Sequence, residues 1–158
     1  MHLFVRALAQ AVLVFAAVGC GFVPEPSLTP AERVIRDLTA AEQRWASLGI
    51  DSYRFTMAYH CFCPFREPIE VSVERGSVTS IRTVDGRAAP LDEVNWWPTT
   101  IPAALRTVRD NLDAHEIDAS FDSATGVPTN VRVDVDFNTA DEEFSFEITQ
   151  FEVIEPSG

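Results

Sequence analysis

The sequence predicts an α+β fold: a mostly antiparallel sheet of about six strands with two helices on one face, built from two helix–strand–strand–strand repeats. Three observations lead there. Apolar residues recur at helical spacing in two segments, 29–48 and 100–112. Each segment is followed by runs in which apolar and polar residues alternate, the period of a half-buried strand. Between the alternating runs lie short connections carrying Gly or Pro, so neighbouring strands return as hairpins.

The first helix has defined ends. Thr29 can cap it, Pro30 suits the first turn, and Glu32 completes a capping box. Val34, Leu38, Ala41, Trp45 and Leu48 form its buried stripe, and Gly49 ends it. Tyr53, Phe55, Met57 and Tyr59 then alternate with Ser52, Arg54, Thr56 and Ala58 as the first strand. Ile69, Val71 and Val73 mark the second, Arg75-Gly76-Ser77 the turn, and Val78–Val84 the third. Asp85–Pro98 is irregular.

The order then recurs about 65 residues later. Thr100 caps a helix carrying Ile101, Leu105, Val108 and Leu112. Ile117, Ala119 and Phe121 form a strand, and Gly126-Val127-Pro128 turns into Val131, Val133, Val135 and Phe137. Phe144, Phe146 and Ile148 open the last strand, whereas Phe151 and Val153 have the other parity, which requires a bulge or a change of face.

Ahead of this domain, Arg6 leads into the apolar run Ala7–Val18, and Ala17-Val18-Gly19 precedes Cys20. That is the form of a bacterial lipoprotein signal. Residues 1–19 are expected to be removed, Cys20 to be lipidated, and residues 20–28 to act as a tether. Residues 29–158 are expected to form a single domain with halves at about 29–85 and 99–155. Release as a secreted protein and retention as a helix are the alternatives, but Leu3–Val18 is short for a span of about 20 apolar residues. The expected location is the extracytoplasmic side of a cell membrane.

Without residues 1–19 the chain carries 24 acidic residues against 11 arginines and no lysine, a net charge of −13. Such a surface repels phosphate backbones, so nucleic acid is not an expected partner. It also repels anionic headgroups, so membrane attachment rests on the acyl chains. From Asp113 to Glu155 twelve acidic residues face Arg132 alone, which favours an envelope protein with a basic surface as partner.

With Cys20 consumed by lipid, Cys61 and Cys63 are left to pair with one another. In an extended strand their Cα atoms would lie about 6.6 Å apart, so a disulfide requires the backbone to turn. A structural clip is the leading reading of His60-Cys61-Phe62-Cys63-Pro64. A redox-active pair with His60 as activator and a metal site of Cys61, Cys63 and His60 or His115 are the alternatives. Zinc normally needs a second ligand pair, which this sequence lacks.

Asp134, Asp136, Asn138 and Asp141 open like a calcium loop, but Thr139 stands in place of its glycine and Ser145 in place of its bidentate Glu. A solvated strand face carrying Asp134 and Asp136 is therefore preferred to calcium, and no metal or other cofactor is expected. Trp96-Trp97-Pro98 reads as a plug at the end of the core rather than a ligand floor. His115 suits the end of the second helix. Neither a nucleophile elbow nor a phosphate-cradling loop is present, so no catalytic residues are assigned.

Tyr53-Arg54-Phe55-Thr56, Cys61-Phe62-Cys63, Val71-Ser72-Val73 with Gly76, Phe121-Asp122, Gly126-Val127-Pro128, and Asp134-Val135-Asp136 with Asp141-Glu142-Glu143 together resemble an uncharacterised family of bacterial lipoproteins, domain of unknown function 6174. Val127 stands where the family pattern has tyrosine. The resemblance implies an envelope protein and brings no catalytic residues with it. The expected function is a non-catalytic binding or protein-interaction domain held at the membrane surface, with a thiol-redox protein acting through Cys61 and Cys63 as the alternative.

Overall fold

The computed structural model describes residues 27–139 and 141–155; the expected signal segment of residues 1–19, Cys20 and the expected tether up to residue 26 lie outside them. Helix α1 (Pro30–Leu48) begins with the capping box that the sequence predicts. Thr29 Oγ1 accepts from the Glu32 amide at 3.2 Å, and the Thr29 amide donates to Glu32 Oε2 at 2.8 Å. The Thr29 amide and the Thr29 hydroxyl, which donates to Glu32 Oε2 at 2.9 Å, hold the Glu32 carboxyl below its ordinary range. Gly49 closes the helix at a φ of 61°. Val34, Leu38, Ala41 and Trp45 are buried as the stripe requires, but Leu48 is 46% exposed. It sits in the last turn, where Gly49 takes the chain away before another element covers it.

Six strands follow: β1 (Tyr53–His60), β2 (Ile69–Glu74), β3 (Ser77–Thr83), β4 (Glu116–Phe121), β5 (Pro128–Asp134) and β6 (Phe144–Val153). They form one antiparallel sheet in the order β3-β2-β1-β6-β5-β4. The meander of the first half thus meets that of the second through β1 and β6. Tyr53, Phe55, Met57 and Tyr59 of β1, Ile69, Val71 and Val73 of β2, Val131 and Val133 of β5, and Phe146 and Ile148 of β6 are all buried. Strand alternation puts these on one face, against α1 and helix α3 (Ile101–Asp110). At the buried start of α3, the Ile101 amide donates to Tyr53 Oη at 3.1 Å, which satisfies an otherwise orphaned helical N–H and pins the helix to the central strand.

The observed class is the predicted α+β sheet with helices. Three local expectations change. The segment read as irregular contains a one-turn helix, α2 (Leu91–Val94), because Val94 drops into the core three residues before Trp97. Strand β5 ends at Asp134 rather than continuing to Phe137. There Asp136 Oδ1 accepts from the Asn138 amide at 2.9 Å, and that local bond turns the chain in place of ladder pairing. His115 lies five residues beyond the end of α3, so it does not serve the helix dipole; its ring packs 5.6 Å from that of Phe137.

The parity change in β6 is a bulge. Arg54 pairs with Glu152 and Thr56 with Thr149, so Gln150 and Phe151 together oppose Phe55. Gln150 adopts a φ of 52°, and the ring of Phe151 is delivered to Trp45 and Tyr53 at 5.9 and 5.7 Å.

The β3 edge is covered by a strap, residues 84–89. The Thr83 amide donates to Arg87 O at 2.8 Å, and Arg82 and Ala88 form a bridge. Thr83 Oγ1 donates to Asp85 Oδ1, and Arg87 Nε donates to Asp85 Oδ2 at 2.7 Å. These donors hold the Asp85 carboxyl down at about 2. A carboxyl depressed on folding stabilises the folded state above its unfolded value near 3.9, and the contribution fades as pH falls toward 2. Thermal melts from pH 5 to pH 2 should therefore fall less steeply for Asp85→Asn than for the parent chain. Equal slopes would show that the strap carries no acid-sensitive stability.

Candidate functional site

Among the described residues only one face of the sheet is packed. The alternate side chains of every strand project from the other face, including Arg54, Thr56 and His60 from β1, Ser145 and Glu147 from β6, and Arg132 from β5. The register aligns them in rows. Thr56 lies between Glu70 and Thr149, Ala58 beside Glu147, and His60 beside Ser145, which in turn faces Arg132. Arg54 ties three strands together, reaching Glu152 at 2.8 Å and Glu70 at 3.9 Å. Thr56 Oγ1 donates to Gln150 Oε1 at 2.9 Å. Arg132 has no ion pair or hydrogen-bond partner among the described residues. The open face is therefore a polar mosaic, acidic in sum and crossed by hydrogen-bonding groups.

At one end of this face, where β1 runs out and β6 begins, a cleft of about 440 Å³ opens between His60, Cys61, Phe62, Arg132, Glu143 and Ser145. Its wall is the Cys61-Phe62-Cys63 turn. The two sulfurs are bonded and the Cα atoms lie 5.2 Å apart, shorter than an extended strand allows, so the backbone turns as the sequence requires. The ring closes around Phe62 and holds it outward. Arg66 Nε donates to Cys63 O at 3.1 Å and braces the turn from behind. Closing so small a ring removes little unfolded-state entropy, so the Cys61→Ser/Cys63→Ser pair should lower stability by only about 1.5 kcal/mol. Chemical denaturation of the two proteins measures it, and a loss above about 4 kcal/mol would make the clip a main determinant of the fold.

Trp96-Trp97-Pro98 lies behind the same end. Trp97 is the predicted plug: it is buried, stacked 5.1 Å from Tyr59 and tilted against Phe65 at 5.7 Å. Its indole N–H has no hydrogen-bond partner among the described residues. Trp96 does not join it in the core. It meets Tyr59 edge-on at 5.0 Å and leaves half its surface exposed. Desolvation between these rings pushes the Tyr59 hydroxyl well above its ordinary range.

The acidic stretch does not converge. Asp134 ends β5, Asp136 is occupied by the backbone and side-chain nitrogens of Asn138, and Asn138 and Asp141 lie in the exposed loop beyond. Those two donors hold the Asp136 carboxyl below its ordinary range. Among the described residues no three His, Cys, Asp or Glu side chains are placed to share a cation. A larger recess of about 660 Å³ lies between the first turn of α1 and the free edge of β4, lined by Thr29, Arg33, Asp37, His115, Glu116 and Asp118. It places the start of α1 at the same end of the sheet as the Cys-Phe-Cys turn.

The sequence singles out His60, Cys61 and Cys63 but gives no reason to join them to Ser145 and Arg132. That join depends on β1 pairing with β6, strands more than 80 residues apart in the chain. A single sequence carries no signal for such a pairing.

A family model for a family of unknown function (DUF6174) matches residues 37–153, from within α1 to the end of β6. No curated protein and no solved structure matches the chain. The matched segment contains every strand of the sheet, the Cys-Phe-Cys turn and the open face, and the chain belongs to the family of unknown function DUF6174.

Proposed function

We propose that this protein is a lipid-anchored bacterial cell-envelope protein whose domain is a non-catalytic binding module, presenting the open face of its sheet to a protein partner. The observation that carries the reading is that open face, a six-stranded surface of hydrogen-bonding and charged side chains with no second layer upon it among the described residues. Its acidic balance favours a partner with a basic surface. Cys20 at the end of its apolar run supports the anchor, and the tether from it reaches the domain at Thr29.

Two experiments test this. Metabolic labelling with a fatty-acid analogue should mark the parent chain and leave Cys20→Ala unlabelled; equal labelling would remove the anchor. Crosslinking on intact cells should trap a discrete adduct that disappears when Thr56 and Thr149 are both changed to Arg. An adduct unaffected by those changes would place the contact elsewhere.

The thiol-redox alternative has one observation in its favour, that Cys61 borders the cleft beside His60. Against it, the Phe65 carbonyl lies 3.3 Å from Cys63 Sγ, where it would accept from a reduced thiol and keep it protonated. A reduction potential below about −300 mV would favour the clip, and one near −200 mV the redox role.

A further inference from the structure

The side chains that the fold leaves bare are not spread evenly. Among the described residues the three large apolar side chains most open to solvent are Phe62 at 78%, Phe137 at 76% and Val84 at 64%. All three belong to one end of the sheet. Phe62 lies two residues beyond the end of β1, and Phe137 lies between β5 and β6, where Ser145 pairs with His60. Val84 follows Thr83, which pairs with Ile69 at the start of β2, beside Met57 of β1. Half-exposed Trp96 sits over Tyr59 at this end as well. The opposite end carries Leu48, Val78 and Val153, each less exposed than any of those three.

Packing does not explain the asymmetry, because none of these side chains is needed to close the core. The route of the chain does. Residues 20–28 enter at Thr29, on the same end of the sheet. A tether of about ten residues spans at most about 35 Å and on average half of that or less, so the end where it enters is the end held closest to the bilayer.

We infer that the domain docks end-on upon a lipid surface, with Phe62, Phe137, Val84 and Trp96 seated among the headgroups and the open face of the sheet standing upright. Aromatic side chains favour that zone, where an apolar ring meets a wet boundary. Asp136, Asp141, Glu142 and Glu143 flank Phe137, so the matching surface has zwitterionic or uncharged headgroups rather than anionic ones. An upright sheet keeps its mosaic face clear for a partner approaching along the membrane. This inference rests on the proposed function only in placing the chain at a membrane.

The test uses the full chain with phosphatidylcholine vesicles in which half the lipid is brominated on its acyl chains. Phe62→Trp and Phe137→Trp each add a fluorophore at the tether end, and Val78→Trp adds one at the far end. Added emission at positions 62 and 137 should fall at least twofold on brominated vesicles, with no change at position 78. Including phosphatidylglycerol should reduce the quenching, and added salt should restore it. Absence of quenching at both 62 and 137, or equal quenching at 78, would overturn the end-on contact. Acylation of Cys20 is read separately by intact mass, so failure of the docking is distinguishable from failure of the anchor.

Discussion

Replacing Gly126 with alanine should lower the melting temperature by at least about 10 °C or prevent folding outright. The residue occupies the β4–β5 turn, where Asp122 Oδ1 accepts from the Thr125 amide at 2.7 Å and the Gly126 amide donates to Asp122 O at 2.9 Å. That turn brings the backbone at φ 80° directly against α1. A Cβ at Gly126 would overlap Ala41 O and lie 2.9 Å from Ala41 C, both backbone atoms in the middle of the helix. Neither can swing aside as a flexible side chain would. Relief requires α1 to lift off β4 along its length, exposing the stripe of Val34, Leu38 and Trp45. Left-handed strain and overpacking each cost about 1–3 kcal/mol, a large share of a stability of about 5–15 kcal/mol. Moving α1 by one helical turn is not available, because Gly49 and the capping box fix both of its ends. A melt within about 2 °C of the parent would mean that the turn and the helix separate at little cost.

The second large effect separates two phenylalanines seven residues apart. Phe55→Ala should destabilise the domain by about 3–5 kcal/mol, and Phe62→Ala by less than about 0.5 kcal/mol. Phe55 is fully buried on the central strand, opposite the Gln150–Phe151 bulge and stacked 6.1 Å from Tyr53. Truncation there leaves a cavity under both helices, and the sheet, tied on either side by β2 and β6, cannot collapse into it. Phe62 supports nothing, since the disulfide holds its backbone and solvent surrounds its ring. Denaturant midpoints measured on both variants decide the matter. A large loss at Phe62 would mean that the ring packs in solution and is not free to meet a membrane.

Much of this fold is legible from local pattern, because local physics decides it. The capping box at Thr29 and Glu32, the stripe on α1, the alternation of β1 and the parity break at Phe151 each require only a few neighbouring residues. Where β5 ends is also decided locally, but by competition: Asp136 bonding to Asn138 outweighs the apolar alternation of Val135 and Phe137. Other features require the folded chain. The β1–β6 pairing creates the continuous face and brings His60 to Ser145 and Arg132, and nothing in either strand specifies its partner. The contact of Gly126 with Ala41 is similarly silent, because glycine in a turn has an ordinary explanation already. The gathering of Phe62, Phe137 and Val84 at one end is visible only once three separate loops are placed side by side.

The most direct test of the open face as the binding surface is site-resolved photo-crosslinking in intact cells. A photoreactive residue at Thr56 or Thr149, in the middle of that face, is compared with one at Thr39 or Ala46 on the outer side of α1. The proposed function predicts one discrete adduct, of the same mass, from Thr56 and Thr149 and none from the helix positions. Adducts from the helix positions with none from the sheet would contradict it.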